Sequence, residues 1–347
     1  MMLLSFQNAT YGQITWTRIS NNGIRNNTWI QSDNSGNLYS ASNGGGFAKS
    51  RDHGVTWRPF NSGSSSPCHV AIGLNDIGEI ISGSMHDINI TACGRKDPHD
   101  FLRLVRNGNT WTPVKPPPGT NPIFEITFAV SDSTTLAGGS GVLPFFSTTH
   151  GASWRKPTIP PPFPICGEKL GLAVSPNDTV SVALADCAPY FSTDRGVTWA
   201  VYPQGNPFPI PPFEDNFNYT LPDGSIMQSW SGGTLGRTYC YGPQPPPNGS
   251  WTRCATGIRI PNGFTSCVTG KTGVVICHQS GLRGRGCGIY STIDNAKNWI
   301  LATKGLPFNR LNAPCGYPLI SHICIDPRGF VYALGQGGNV WRTTFPQ

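Results

Sequence analysis

Ser50 to Trp57 reads SRDHGVTW, and Ser192 to Trp199 reads STDRGVTW. The shared pattern is Ser/Thr-x-Asp-x-Gly-x-Thr-Trp, which is turn chemistry. The carboxylate of Asp52 or Asp194 accepts hydrogen bonds from backbone N–H groups two residues on, and the glycine permits a left-handed residue. The tryptophan then covers the hairpin just formed. Two further copies are close: Ser147 to Trp154 (STTHGASW) has Thr149 in the Asp place, and Thr292 to Trp299 (TIDNAKNW) keeps Asp294 but has Ala296 in the Gly place. Shorter remnants end at Trp111 (NGNTW) and Trp251 (NGSW).

A tryptophan preceded by Thr, Ser or Asn recurs along the whole chain as Trp16, Trp57, Trp111, Trp154, Trp199, Trp251 and Trp299, at intervals of 41, 54, 43, 45, 52 and 48 residues. That period suits one four-stranded sheet per repeat. The fourth unit shows the strands best. Leu170 to Val174 is an inner strand, Thr179 to Ala185 alternates with period two, Tyr190 to Ser192 enters the turn, and Thr198 to Tyr202 leaves it. Analogous units begin near Trp29, Val70, Ile123, Leu170, Asn216, Phe264 and Ile320. The last has only three strands, Ile320 to Asp326, Phe330 to Leu334 and Asn339 to Thr343. The orphan Gln13 to Ile19 has the character of the missing fourth, and pairing it with Val340 to Thr343 removes two open sheet edges. The expected fold is an all-β, single seven-bladed β-propeller over residues 13–347, the last blade completed by 13–19. Residues 1–12 form an extension, either a signal remnant or a docking segment.

On these octapeptides the chain resembles the Asp-box, or bacterial neuraminidase repeat, superfamily. The resemblance implies that the box lies on the c-to-d hairpin, away from the ligand face. It makes Ser50, Asp52, Gly54, Trp57, Ser147, Gly151, Trp154, Ser192, Asp194, Gly196, Trp199, Asp294 and Trp299 structural. The superfamily spans sialidases, xyloglucanase-like and other glycoside hydrolases, sortilin-like receptors and photosystem assembly factors, so the resemblance alone does not choose between enzyme and binder.

Composition narrows the setting. Gly 42 and Pro 32 in 347 residues signal many turns, while 17 Phe, 10 Tyr and 10 Trp supply a core. Only 12% of residues are charged, so the surface must be built from Ser, Thr, Asn, Gly and Pro. The net charge of +7 is scattered rather than blocked, which argues against a nucleic-acid partner. Neither a membrane span nor a cofactor motif is present in the sequence.

Eleven cysteines without C-x-x-C or zinc-finger spacing point to disulfides, an oxidising compartment and an extracellular or cell-surface location. The candidate pairs are Cys68 with Cys93, Cys166 with Cys187, Cys240 with Cys254, Cys267 with Cys277 and Cys287 with Cys315, leaving Cys324 unpaired. Sequons at Asn8, Asn26, Asn89, Asn177, Asn218 and Asn248 permit N-glycosylation in a eukaryotic source. Proline runs at Pro116 to Pro118, Pro160 to Pro162 and Pro209 to Pro212 fall in d-to-a connections, as walls or as partner-binding motifs.

The functional candidates lie on the face formed by b-to-c and d-to-a loops. Trp29 and Trp230 are either sugar-stacking rings or core packing. His86, Asp87, Asp97, His99 and Asp100 gather in one segment, read as a solvated loop rather than a metal site. A glycosidase needs two carboxylates roughly 5 to 9 Å apart; the candidates include Asp87, Glu168, Asp186, Glu214 and Asp215, and no pair stands out. The sialidase Arg-Ile-Pro motif has only the echo Arg18-Ile19-Ser20, on an outer edge remote from any central pocket. The sequence therefore favours a binding or structural module with a glycan or protein ligand, self-assembling through Met1 to Phe6 as one form of it; a glycoside hydrolase is the alternative.

Overall fold

The computed structural model describes residues 14–23, 27–42, 46–60, 69–74, 80–84, 101–104, 110–114, 126–131, 134–139, 142–149, 152–155, 170–174, 180–184, 190–194, 197–201, 215–231, 237–241, 251–254, 256–258, 264–280, 286–308, 317 and 320–347. Their regular structure is all strand apart from one short 3-10 turn, Gln336–Gly338. The strand β1 (Trp16–Asn21) comes first in sequence. The first sheet is β2 (Asn27–Ser32), β3 (Leu38–Ser42), β4 (Gly46–Ser50) and β5 (Arg58–Pro59). The second is β6 (His69–Leu74), β7 (Ile80–Ser84), β8 (Phe101–Leu104) and β9 (Thr112–Val114). The third is β10 (Ile126–Ser131), β11 (Thr134–Gly139) and β12 (Val142–Ser147).

The fourth sheet holds β13 (Leu170–Val174), β14 (Val180–Leu184), β15 (Tyr190–Ser192) and β16 (Ala200–Val201). The fifth holds β17 (Asp215–Thr220), β18 (Ile226–Ser231), β19 (Arg237–Tyr241) and β20 (Trp251–Arg253). The sixth holds β21 (Phe264–Thr269), β22 (Val275–Ser280), β23 (Gly286–Thr292) and β24 (Ile300–Leu301). The last holds β25 (Ile320–Ile325), β26 (Val331–Gly335) and β27 (Asn339–Thr343), and β1 is its fourth strand, in the order β1-β27-β26-β25. β1 runs antiparallel to β27, from Trp16 opposite Thr343 to Asn21 opposite Asn339. The strand thus occupies 16–21 rather than the expected 13–19, because Ile14 and Thr15 turn toward the sixth sheet, where Thr15 bridges Lys304.

The first strand of each sheet packs against that of the next, and β25 packs against β2. Sheets stacked face to face bury both faces of their middle strands, so β4 and β26 are buried at every position, while the outer β1 is fully buried only at Trp16. The core is accordingly divided into layers between neighbouring sheets. One layer joins the first sheet to the second through Trp29, Tyr39, Phe47, Leu74, Ile80 and Trp111. Another joins the sixth to the last through Trp16, Ile276, Ile289, Leu306, Ile323 and Trp341.

The recurrent tryptophans hold these layers together. The Trp111 indole donates to the Phe60 carbonyl (3.1 Å), that of Trp299 to Cys254 (2.9 Å), and that of Trp16 to Ala302 (2.7 Å). Each acceptor belongs to the preceding sheet. Trp57 covers its own hairpin, as expected from sequence: its indole reaches Gly54 (3.0 Å) and also the Ser20 hydroxyl on β1 (3.1 Å). Backbone follows the ring: Trp16 N–H donates to Lys304 and Trp299 N–H to Thr256, both at 2.8 Å. A β-carbon at Gly305 or Gly257 would lie 2.1 Å from the carbonyl oxygen of Trp16 or Trp299, so only glycine admits this approach.

Candidate functional site

Two kinds of hairpin turn gather on one rim. In the first, Ser50 donates to Asp52 Oδ1 (2.8 Å) and accepts from Gly54 N–H (2.8 Å), and Asp52 accepts the amide of Thr56 (2.8 Å) and its hydroxyl. The amide caught by the carboxylate is therefore four residues on, not two. His53 (φ 59°) and Gly54 (φ 85°) are both left-handed, and in the variant turn Asn295 (φ 55°) and Ala296 (φ 64°) repeat this without glycine. Asp194 accepts from Val197 and Thr198 amides, Asp294 from Asn298, and Thr149 holds Ser153 N–H at 2.8 Å in the place of a carboxylate. Desolvation alone would raise Asp52 and Asp194, but the hydroxyl and amide donors outweigh it and hold each carboxyl at about 2.

The second turn joins the first two strands of a sheet. Asp33 accepts from Ser35, Asn37 and the buried Tyr39 hydroxyl (2.9 Å), and Asp326 does the same for Arg328, Phe330 and Tyr332 (3.0 Å). The pattern Asp-x-x-Gly-x-x-Tyr, at Asp33 to Tyr39 and Asp326 to Tyr332, carries this geometry with Gly36 and Gly329 left-handed. It is visible in the sequence as a second repeat that the tryptophan period overshadowed. The two turn types meet where His53 Nδ1 lies 3.9 Å from Asp326. Every aspartate whose side chain is described, namely Asp33, Asp52, Asp194, Asp223, Asp294 and Asp326, is committed to a turn.

Away from that rim, on β22 and β25, lies a pair of neutral imidazoles. Burial, and then the neighbouring His322, push His278 down to about 3, and burial pushes His322 down to about 4. His278 Nδ1 is 3.0 Å from the Thr265 hydroxyl, and Thr265 sits at the irregularity in the β21–β22 register. The same irregularity recurs between Ile320 and His322, between His69 and Ala71, and between Asn27 and Trp29. Such bulges re-aim side chains. His278 Nε2 and His322 Nδ1 are shielded from solvent and have no hydrogen-bond partner. The Trp29 ring, 8% exposed, stands 6.4 Å from His322 and is part of the layer between the first two sheets.

On the outer wall, a groove of about 680 Å³ is lined by Trp299, Ile300, Leu301, Leu306, Phe308 and Tyr317, with Lys304 at its side. Ile300 is 55% and Phe308 58% exposed, and Phe308 meets Tyr317 edge-on at 5.1 Å.

Other expected residues fall as follows. Cys267 and Cys277 are bonded across β21 and β22, Cys254 is in a disulfide, and Cys324 is a free, buried thiol. Arg18 lies exposed on β1, and Trp341 is buried at 4%. The side chains of Trp230, Asp215, Asn218, Cys240 and Cys287 lie outside the described residues. So do Asp87, Glu168, Asp186, Glu214, Gly151, Gly196, Cys68, Cys93, Cys166, Cys187, Cys315, the remaining sequons, the segment from His86 to Asp100 and the three proline runs. Among the described residues there is no cluster of three metal-ligating side chains, and no helix is long and apolar enough to cross a membrane.

No known family profile matches the chain, and no curated protein matches it in sequence. Solved structures do resemble it. A GH74 xyloglucanase from Xanthomonas campestris superposes with a TM-score of 0.67 at 16% identity, over 95% of this chain and 53% of the enzyme. The chain thus spans about half of that protein's length. YCF48 from Cyanidioschyzon merolae gives 0.64 at 13% identity, covering 95% of this chain and 98% of that one. The extracellular domain of a putative hybrid two-component system from B. thetaiotaomicron gives 0.66 at 11%, covering 95% and 41%. At such identities the likeness establishes the fold, a β-propeller, and nothing further.

Proposed function

We propose that the chain is a seven-bladed Asp-box propeller, closed by β1, that works outside the cell or at its surface as a binding or structural module for a glycan or protein ligand. The observation that supports a module over a hydrolase comes from the hairpin rim alone, since Asp87, Glu168, Asp186, Glu214 and the Asp215 side chain lie outside the described residues. Each aspartate with a described side chain is bonded into a hairpin turn, and glycoside hydrolysis needs two carboxylates free to face a scissile bond. The antiparallel β1–β27 pairing and the packing of β25 on β2 support closure of the ring. The turn geometry at Asp52, Asp194 and Asp294 supports the Asp-box reading. The Cys267–Cys277 bond and the extracellular sensor domains among the structural neighbours support an oxidising setting.

The ligand face on this reading is the end of the inner strands away from the carboxylate rim, since the rim's described carboxylates are already engaged. The xyloglucanase neighbour brings a glycan to mind as ligand, and the YCF48 solved with a D1 peptide a protein segment. A glycan array run beside a panel of aryl glycosides tests the reading. Binding without turnover is expected; glycoside release above the buffer blank would overturn it and restore the hydrolase.

A further inference from the structure

We infer that the lateral groove beside β24 is the docking site of the chain's own N-terminal segment, with the apolar Met1 to Phe6 as its occupant. The lead-in is fixed by the fold. Ile14 is buried in the layer that includes Ala302 and Leu306, Thr15 makes a parallel bridge with Lys304, and Trp16 N–H donates to the Lys304 carbonyl at 2.8 Å. Lys304, Gly305 and Leu306 are themselves groove residues. The segment therefore joins the described structure at the groove's own wall. Thirteen preceding residues, each spanning up to about 3.3 Å when extended, reach any point in it without stretching.

The chemistry of the two partners agrees. Met1 to Phe6 reads MMLLSF, and no charged side chain occurs before Arg18. The groove is lined by aromatic and aliphatic side chains with Lys304 as its charged member, and it leaves Ile300 and Phe308 more than half exposed. Two large apolar side chains exposed on one wall mark a surface that something covers. Tethering makes the association intramolecular, at an effective concentration on the order of millimolar, so a short apolar contact suffices.

Hydrogen exchange on the full chain, its first residue verified by intact mass, tests this at the amides of residues 300–308. Two variants are compared with it: Leu3→Asp combined with Leu4→Asp, which alters the occupant, and Phe308→Glu, which alters the groove. Both are expected to speed exchange there by about tenfold or more while amides of β26 stay protected, showing that the fold is intact. Benzoylphenylalanine in place of Phe6 is expected to cross-link to residues 300–308 within one chain. Unchanged exchange in both variants would overturn the inference, and so would cross-links that fall elsewhere or join two chains.

Discussion

The hairpin rim runs over most of the sheets and meets the imidazole cluster on the sixth and the last, where the two treat polar groups in opposite ways. At the rim, Asp326 is buried and yet satisfied: it accepts from the amides of Arg328 and Phe330, the Arg328 guanidinium and the Tyr332 hydroxyl. Further along the inner strands, His278 and His322 each keep a shielded ring nitrogen with no partner. A buried polar group that is paired contributes a modest net stabilisation, whereas one left unpaired costs its desolvation. The rim's carboxylates therefore rigidify its turns, although His53 Nδ1 stays unpaired there, and the cluster is where the fold tolerates the larger cost.

Acid should expose that contrast most strongly. Both imidazoles have folded pKa values below the unfolded 6.5, so protons bind the unfolded chain more readily. Their contribution is complete above pH 6.5 and disappears as pH falls toward about 4 for His322 and about 3 for His278. The loss between pH 7 and pH 4 is on the order of 5 kcal/mol, read as a falling urea midpoint. The rim behaves differently: Asp52 and Asp194, held at about 2, begin to lose their contribution only below about pH 4. A urea midpoint flat from pH 7 to pH 4 would erase the distinction.

Next in size is Asp326→Ala, which takes the acceptor from the buried Tyr332 hydroxyl and from the Arg328 and Phe330 amides and should cost about 3 kcal/mol in chemical denaturation. His278→Leu should stay within about 1 kcal/mol of the parent, because it removes the partnerless Nε2 but also gives up the Nδ1 contact with the Thr265 hydroxyl. A loss well beyond about 2 kcal/mol in His278→Leu would mean that Nε2 is satisfied after all. Asp52→Ala should cost about 1 kcal/mol, since its turn is partly solvated and water replaces the lost acceptor. Thr149 already performs the same service in the third sheet, so Thr149→Asp tests whether the carboxylate adds anything.

Much of this was legible before any coordinates. The turns are local: Ser50, Asp52, Gly54 and Thr56 bond among themselves within a few residues, so their spacing in the sequence is their geometry. Ala296 occupying a left-handed position is the exception, tolerated because Asp294 and Asn298 lock the same turn around it. The starts of the fourth, sixth and last sheets, at Leu170, Phe264 and Ile320, agree with alternation and turn residues. The Asp-x-x-Gly-x-x-Tyr hairpins were equally readable, since Tyr39 and Tyr332 return to their own turns.

What one repeat asks of another was not. Trp16 gives its indole proton to Ala302, 286 positions away, and no spacing rule predicts that acceptor. Nor does anything local mark Gly305 as the residue against which the Trp16 backbone must fit. His278 and His322 carry no motif, and they become neighbours only when β25 packs beside β21 and β22. The hairpins and their period were set by local sequence, because they depend on bonds between residues a few positions apart, whereas the four strands expected of each unit are three in the third sheet among the described residues. Tertiary structure decided which sheet each tryptophan clamps, which imidazoles lose water and where the outer groove opens, because packing between sheets depends on side-chain volume and distance in space, to which order along the chain is blind.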